Sequence, residues 1–418
     1  MIPLPPLRGA APSIHWSHTM QWRALPCVLA LSLGACSDPE PEAPRPLKVV
    51  LFPYIPDSAG DGFASLKQRL EADFEREHSD IDVDIVFDAK LDLYDLDDGG
   101  TLNQLLGPGA GAAQVVEIDT LIMGELVSKG WVQPVALEAG AAHPAAEEAV
   151  SIAGQSYGVP TYLCSYVVYS NSPYLSSATD GDSLVQILTD VAPGMRPLAA
   201  NYSGSWTLPS SYLDAWADTN PTGVLSQALS LPLDASALAS FEDVVKSCEL
   251  EAGVNPCLDG TYADSSLAEE AFALGQANGF MGYTERLFFV RKASPGMALP
   301  EVISVPLGTG SAPAVFVDAL VVSAECTGTC AEDAHAFTDF MKDPDVRSLI
   351  AFSGDAPQGT TPRYLLQATQ AFYQQEPARS DPMYQKYVQF LSGARPYPNQ
   401  GFPQNRKTLQ SALMDALQ

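Results

Sequence analysis

Strand-like and helix-like segments alternate from residue 47 onwards, and this order constrains the fold more than any single motif does. Residues 47–52 form a short apolar run typical of a buried strand, and apolar residues then recur at helical spacing over 63–74. Apolar and polar residues alternate over 81–87, and a further short strand is predicted at 114–118. Repeated strand–helix units form open α/β sheets, which bind ligands beyond the carboxyl ends of their strands.

The central third of the chain predicts a second lobe, after which the chain returns to the first. An aromatic and β-branched run over 162–170 leads out of the first lobe, and residues 181–280 predict a second α/β lobe. Residues 315–323 predict a core strand that returns to the first lobe. We therefore predict an α/β protein with a two-lobed binding-protein architecture and a ligand cleft between the lobes.

The predicted boundaries follow from that order. The first lobe is expected to comprise residues 47–160 plus about 305–355, and the second lobe residues 161–304. Residues 356–418 are expected to form C-terminal helices that pack on the lobes. Apolar spacing places C-terminal helices at 334–340, 362–374 and 384–391.

The N-terminal 36 residues are predicted to be an export segment. A positive start and a short apolar core end in Leu33-Gly-Ala-Cys36, which resembles the bacterial lipobox in which the cysteine is lipidated. Met20 is an alternative start residue. The competing hypothesis is an ordinary cleaved signal peptide in which Cys36 is incidental. Residues 37–46 are rich in proline and acidic residues and predict a tether. The protein is thus expected to be a cell-envelope lipoprotein of the periplasm or outer membrane, or a secreted protein.

The charge of the chain excludes some classes of function. The formal net charge is −28, and because residues 1–35 contain two arginines and no acid, it is −30 for the mature chain. Such a protein repels nucleic acid. The histidines beyond the export segment are scattered at 78, 143 and 335, and no metal-ligand spacing or phosphate loop is present in the sequence. We predict no metal, no cofactor, membrane attachment only through the N-terminal lipid, and a monomer.

Five cysteines lie beyond the export segment. Cys248 and Cys257 are close in sequence, as are Cys326 and Cys330, so two local disulfides are the economical pairing in an oxidising compartment. Cys164 is then left without a partner. It is either a buried thiol that packs as a small hydrophobe or a nucleophile that needs a nearby base.

Acidic and aromatic side chains stand at the ends of the predicted strands. Tyr54 follows the first strand, Asp119 follows the strand at 114–118, and Asp318 lies within the return strand. Glu285 ends the short apolar segment that begins at Gly279. Burial would raise its pKa towards the range that suits proton transfer. The alternative for Glu285 is a surface ion pair with a neighbouring base.

Several of these blocks occur together in a family already known. The blocks are Leu51-Phe-Pro-Tyr54-Ile-Pro-Asp57, Asp119-Thr-Leu-Ile, Gly130-Trp-Val-Gln-Pro134, Tyr157-Gly-Val-Pro-x-x-x-Cys164, Tyr212-Leu-Asp-Ala215, Gly282-Tyr-Thr-Glu285, Val317-Asp318, Ser353-Gly-Asp355 and Pro362-Arg-Tyr-Leu-Leu366. In order and approximate spacing they resemble thiamine pyridinylase, or thiaminase I, over most of residues 47–375. That resemblance implies a type II periplasmic-binding-protein fold.

The resemblance implies an enzyme with a cysteine nucleophile. Cys164 would add to the pyrimidine of thiamine and displace the thiazole, with Glu285 as its general base. The pyrimidinylmethyl group would pass to a second substrate, a base of the pyridine or aniline type or a thiol. The implied substrate-binding residues are Tyr54, Tyr94, Asp119, Tyr262, Tyr283 and Asp318.

Two departures from the family pattern concern the substrate range. Phe316 stands where the family often has tyrosine. For the acidic groups that the family has before the Gly-Val-Pro segment, residues 141–149 contain no aspartate counterpart, only Glu147 and Glu148. Tyr94 lies in an acidic loop whose alternative role is simply to be solvated. The competing class of function is a non-enzymatic lipoprotein that binds thiamine or another cationic solute for an ABC importer.

Overall fold

Two β-sheets organise the chain, one for each lobe. The computed structural model describes residues 43–109, 112–249, 253–263, 266–307 and 313–417. The strands are β1 (Arg45–Val50), β2 (Ile81–Val86), β3 (Val115–Asp119), β4 (Ser151–Ile152), β5 (Gln155–Ser156), β6 (Val159–Cys164), β7 (Tyr166–Ser170), β8 (Arg196–Ala200), β9 (Ala277–Tyr283), β10 (Glu301–Ser304), β11 (Ala314–Val322), β12 (Leu366–Gln367) and β13 (Arg395–Pro396).

Helices cover the faces of both sheets. They are α1 (Ala64–Glu77), α2 (Thr101–Leu106), α3 (Met123–Ser128), α4 (Pro144–Ala149), α5 (Gly181–Val191), α6 (Thr207–Thr219), α7 (Ala235–Lys246), α8 (Leu267–Ala273), α9 (Leu287–Ala293), α10 (Thr329–Lys342), α11 (Pro344–Ala351), α12 (Pro382–Leu391) and α13 (Phe402–Leu417). Short 3-10 helices occur at Thr120–Ile122, Leu175–Ser177, Leu225–Leu229, Thr284–Arg286 and Gln370–Gln374.

The larger sheet has the order β12-β6-β11-β3-β1-β2, with β13 paired to β11, and the smaller sheet has the order β10-β7-β9-β8. Strands β1, β2 and β3 run parallel, whereas β11 runs antiparallel to both β3 and β6. The return strand therefore enters the middle of the larger sheet against its neighbours. The predicted two-lobed α/β architecture is confirmed.

Helix α1 and strand β2 bury the faces that the sequence pattern predicts. In α1, Leu66, Leu70 and Phe74 are buried, so the stripe at helical spacing faces the larger sheet. In β2, residues 81, 83 and 85 are buried and residues 82 and 84 are exposed, as expected for a strand with one face in the core.

The chain passes from the larger to the smaller sheet at Ser165, between β6 and β7. The predicted lobe boundary at 160/161 therefore falls inside β6. This short crossing has a functional consequence, because it leaves Cys164 as the last residue of a large-sheet strand at the junction of the lobes.

The C-terminal segment is partly helical. Helices α10 and α12 contain the predicted helices at 334–340 and 384–391, but the helix predicted at 362–374 is wrong. Tyr364 has a φ of 55°, which a right-handed helix does not allow. Strand β12 pairs with β6 instead, and helix α13 ends the chain.

The predicted signal peptide, Cys36 and residues 37–42 of the tether lie outside the described residues. The end of the predicted tether is part of the sheet, because Arg45 and Pro46 belong to β1 and pair with Ile81 and Asp82 of β2. The Arg45 guanidinium also donates to Asp333 at 2.7 Å and to Asp80 at 2.9 Å. No helix in the described ranges is long and apolar enough to cross a membrane.

Both predicted disulfides form. Cys248 pairs with Cys257 in the smaller lobe, and Cys326 pairs with Cys330 at the start of α10. Cys164 is the free cysteine of the described residues.

Candidate active site

A cavity of about 680 Å³ contains the free cysteine. This volume lies within the usual range for pockets that bind small molecules. The larger sheet and its loops contribute Phe52, Tyr54, Tyr94, Asp119, Tyr162, Cys164, Phe316 and Asp318; the smaller lobe contributes Trp206, Tyr283 and Glu285; the C-terminal segment contributes Leu365, Pro403 and Arg406. The cavity is therefore the cleft between the two lobes.

Strand register brings the acids and the cysteine together. Strand β11 lies between β3 and β6, where Asp318 faces Asp119 on one side and Tyr162 on the other. Two residues earlier on β11, Phe316 faces Cys164. Directly opposed residues of neighbouring strands have Cβ atoms about 5 Å apart. Asp119, Asp318 and Cys164 therefore lie in one small patch of the sheet. We call Asp119, Cys164, Glu285 and Asp318 the floor of the pocket.

Glu285 faces Cys164 across the junction of the lobes. The Cys164 Sγ donates to Glu285 Oε2 at 3.2 Å. Glu285 lies in the 3-10 turn that follows β9, and the Thr284 amide of this turn donates to the Ser165 carbonyl at 3.2 Å. The residue next to the cysteine thus fixes the turn that carries the carboxylate.

The electrostatics of the pair favour the protonated thiol. Burial and the Glu285 carboxylate raise the pKa of the Cys164 thiol well above its ordinary value, and Asp318 and Asp119 raise it further. Burial also raises the pKa of Glu285, although the hydrogen bond from Cys164 opposes this effect. A positive charge near the thiol would favour the thiolate, because it offsets the surrounding carboxylates.

Asp119, which is buried, and Asp318, which is half-buried, form an acidic pair on neighbouring strands. Asp119 Oδ1 accepts from the Leu121 amide at 3.0 Å, and Asp119 Oδ2 accepts from the Tyr94 hydroxyl at 3.0 Å. Burial raises the pKa of both carboxyl groups, and Asp119 raises that of Asp318 further. A carboxyl group with a raised pKa can carry its proton and donate it, so the pair can offer an O–H donor as well as carboxylate acceptors. This combination suits a heterocycle edge with an amino group beside a ring nitrogen.

Aromatic rings line the walls above the floor. The Tyr94 and Trp206 ring centroids are 4.6 Å apart, and the Arg406 guanidinium lies 4.1 Å from the Trp206 ring. On the other side, Tyr283 lies 4.3 Å from Tyr166. Such surfaces stack on flat or cationic rings.

Buried polar contacts hold the loop that carries Tyr54. The Phe52 amide donates to Glu117 at 3.0 Å, and the Arg363 Nε donates to the Pro56 carbonyl at 2.7 Å. Arg363 also makes two hydrogen bonds of 2.7 Å to Asp355. The loop is therefore fixed at both ends by groups from distant parts of the chain.

The structure brings together seven of the eight residues that the resemblance implies. Cys164, Glu285, Tyr54, Tyr94, Asp119, Tyr283 and Asp318 line the pocket. Tyr262 does not; it is buried in the core of the smaller lobe, where Arg196 lies 5.3 Å from its ring.

Sequence reasoning missed several lining residues. Trp206 follows β8 in the loop before α6, a position that the strand-end rule would have identified. Arg406 is brought to the pocket by packing of α13, and nothing in its sequence surroundings marks it.

Solved structures resemble this fold. Thiaminase I from Bacillus thiaminolyticus is 20% identical with a TM-score of 0.66, and the match covers 89% of this chain and 100% of that one. Clostridium botulinum thiaminase I in complex with thiamin is 18% identical with a TM-score of 0.68, covering 89% and 99%. Maltose-bound MalE3 from T. maritima is 16% identical with a TM-score of 0.65, covering 89% and 94%. At these identities the similarity shows the fold alone.

Sequence comparison gives the family. No curated protein matches the chain in sequence. Bacterial extracellular solute-binding proteins match over residues 57–347, which is most of the chain. The two lobes, the interlobe cleft and this match agree, and the chain belongs to the bacterial extracellular solute-binding protein family.

Proposed function

We propose that this protein is a thiaminase I-like transferase. One observation carries the proposal: at the floor of the cleft, a free, half-buried thiol donates to a half-buried carboxylate at 3.2 Å. A protein that only binds a solute has no need of a nucleophile paired with a base. Two similar folds belong to proteins named thiaminase I, one of them in complex with thiamin, which supports the assignment.

The proposed reaction begins with proton transfer. The Cys164 proton passes to Glu285 Oε2, Sγ bonds to a carbon of the pyrimidine ring, and the electron pair of the ring double bond at that carbon moves into the ring. The bond between the bridging methylene and the thiazolium nitrogen then breaks. Its electron pair stays on nitrogen, neutral thiazole leaves, and the displaced ring pair forms a double bond to the methylene carbon.

A second nucleophile completes the transfer. A pyridine, aniline or thiol bonds to the methylene carbon as the C–S bond breaks and returns its electron pair to Sγ. Glu285 returns a proton to the thiolate and takes one from a protic nucleophile. The net reaction converts thiamine and the nucleophile into a pyrimidinylmethyl adduct, free thiazole and, for a protic nucleophile, a proton.

A cationic substrate suits this site for a physical reason. Burial and the carboxylates around Cys164 raise the pKa of its thiol and so favour the protonated form. The thiazolium charge would lower the thiol pKa, so the nucleophile forms when its target is bound. The Asp119 and Asp318 pair would bind the amino group and ring nitrogen of the pyrimidine.

The second candidate function is non-enzymatic solute binding for an importer, which the family match favours. In that case the aromatic and acidic walls would bind thiamine or another cation reversibly. Cys164 would then be a thiol without a chemical role.

Product analysis separates the two functions. The purified protein is incubated with thiamine and aniline, and the anilino adduct and free thiazole are measured by mass spectrometry. We expect both products with the parent protein and none with Cys164→Ser. Thiamine binding by calorimetry should persist in this variant, because the acidic pair and aromatic walls remain.

Reversible thiamine binding without product by the parent protein would reject the enzymatic proposal and support the importer function. Loss of folding in Cys164→Ser would point to a packing role. The Cys164→Ala variant, which retains neither nucleophile nor donor, then repeats the comparison.

A further inference from the structure

Two cations face the mouth of an otherwise acidic pocket. Lys90 is exposed and Arg406 is half-buried, and both line the cleft. In the described part of the chain neither side chain lies within 4.0 Å of a carboxylate, although salt bridges are frequent elsewhere. Asp92, which is exposed, is the acid beside them. We call Lys90, Asp92 and Arg406 the rim, which carries a net charge of about +1.

Contacts connect Arg406 to the floor of the pocket. Its guanidinium lies 4.1 Å from the Trp206 ring, Trp206 contacts Tyr94 at 4.6 Å, and the Tyr94 hydroxyl donates to Asp119 at 3.0 Å. Arg406 Nη1 donates to Ser205 Oγ, whereas its Nε is buried without a hydrogen-bond partner. The guanidinium is therefore held in place and keeps hydrogen-bonding capacity unused.

The pocket thus has opposite polarity at its two ends. Asp119, Glu285 and Asp318 make the floor acidic, whereas the rim adds two cations, of which Lys90 is exposed and Arg406 half-buried. A ligand that complements both ends is cationic near the floor and anionic at its outer end.

We propose that the rim binds the phosphate of thiamine phosphate esters, so that phosphorylated thiamine belongs to the substrate class. This inference rests on the proposed function. With the pyrimidine held at Cys164, the thiazolium arm extends outwards, and this arm carries the ester phosphate. The arginine fork and the lysine ammonium suit phosphate oxygens. The phosphate takes no part in bond making and leaves with the thiazole.

Affinities measured by calorimetry test this inference independently of turnover. Dissociation constants for thiamine and thiamine monophosphate are compared in the parent protein, Arg406→Gln, Lys90→Gln and Lys407→Gln. Lys407 is the matched control, because it lies next to Arg406 on α13, is exposed and does not line the pocket. Each variant loses one positive charge.

We expect the parent to prefer the phosphate ester. Arg406→Gln should shift the ratio of the two constants towards thiamine by about tenfold to a hundredfold, which is typical for loss of a hydrogen bond to a charged group. Lys90→Gln should shift it in the same direction by less, because exposed charges are screened. Lys407→Gln should leave the ratio within about twofold.

Three results would overturn the inference. The first is an equal ratio in the parent and Arg406→Gln. The second is an equal shift in Lys407→Gln, which would reveal a general charge effect. The third is a raised KM for a thiol co-substrate that carries a carboxylate, in Arg406→Gln with an unchanged ratio, since the rim would then serve the incoming nucleophile.

The same measurements distinguish failure of the proposed transferase function from failure of the rim inference. A parent protein that prefers the phosphate ester but turns over neither ligand would retain the rim assignment and reject the transferase. A parent that turns over thiamine but shows no dependence on Arg406 would retain the transferase and reject the rim.

Discussion

Replacing Glu285 by glutamine should lower the pKa of the Cys164 thiol while it abolishes turnover. The carboxylate lies 3.2 Å from Sγ, and its charge opposes formation of the thiolate. At this distance, with an effective dielectric constant of about 20, two unit charges interact by about 5 kcal/mol. The raised pKa of Glu285 and the retained hydrogen bond reduce this upper bound. We therefore expect the pKa of the Cys164 thiol to fall in Glu285→Gln.

Alkylation by iodoacetamide as a function of pH measures this shift. The reagent is neutral, so the acidic pocket does not bias its local concentration. The extent of modification is read on the peptide that contains Cys164. At a fixed pH below the thiol pKa, the Glu285→Gln protein should react faster than the parent. Product formation from thiamine and aniline should be lost, because the proton acceptor is gone.

Asp92→Asn is the matched control, since it removes the same charge from the same pocket. Asp92 is exposed, so solvent screens it and the alkylation midpoint should move much less. A higher or unchanged alkylation midpoint in Glu285→Gln would refute the reasoning. It would mean that Glu285 assists the thiolate before substrate binds, or that it does not interact with Cys164.

Three further predictions concern Glu285 and the polar groups that hold the pocket in place. Tyr94→Phe removes a donor to the buried Asp119 carboxylate and should lower the free energy of unfolding in urea by about 1–3 kcal/mol; an unchanged unfolding midpoint would contradict this hydrogen bond. Because burial raises the pKa of Glu285, kcat/KM should fall as pH falls through a value above 4.5, the ordinary pKa of this group, and an acid limb at or below 4.5 would contradict the assignment. Asp355→Asn leaves the buried Arg363 without its carboxylate and should cost about 3–5 kcal/mol in the same urea assay, whereas a loss below about 1 kcal/mol would show that other groups satisfy the guanidinium.

Local sequence patterns predicted most of the floor. Alternating strands and helices place strand ends at one edge of a sheet, so this pattern alone assigns Asp119 to a cleft. Asp318 lies within a core strand, where an unpaired acid is costly unless it faces a wet cleft. Pairing the other cysteines left Cys164 as the free thiol, and both disulfides are confirmed. Resemblance to the family pattern supplied Glu285 as its partner.

Local sequence patterns could not predict contacts between distant parts of the chain. Arg406 reaches the pocket only because α13 packs beside α6, and Glu117 fixes the Phe52 turn from another strand. Tyr262 has an aromatic ring suited to a cleft, but the fold of the smaller lobe buries it beneath Arg196. Apolar spacing predicted a helix at 362–374. In the structure, β12 pairs with β6 in this segment, and Tyr364 has a positive φ that a right-handed helix does not allow. Lipidation of Cys36 stays a prediction.

Mass spectrometry of the Cys164 peptide tests the covalent mechanism most directly. The parent protein is mixed with thiamine in the absence of a second nucleophile, quenched at short times and digested. We predict a peptide that carries the pyrimidinylmethyl group on Cys164, with one thiazole released for each modified peptide. Modification should be slower in Glu285→Gln and absent in Cys164→Ser. Thiazole release without modification of Cys164, or turnover by Cys164→Ser, would contradict the covalent mechanism.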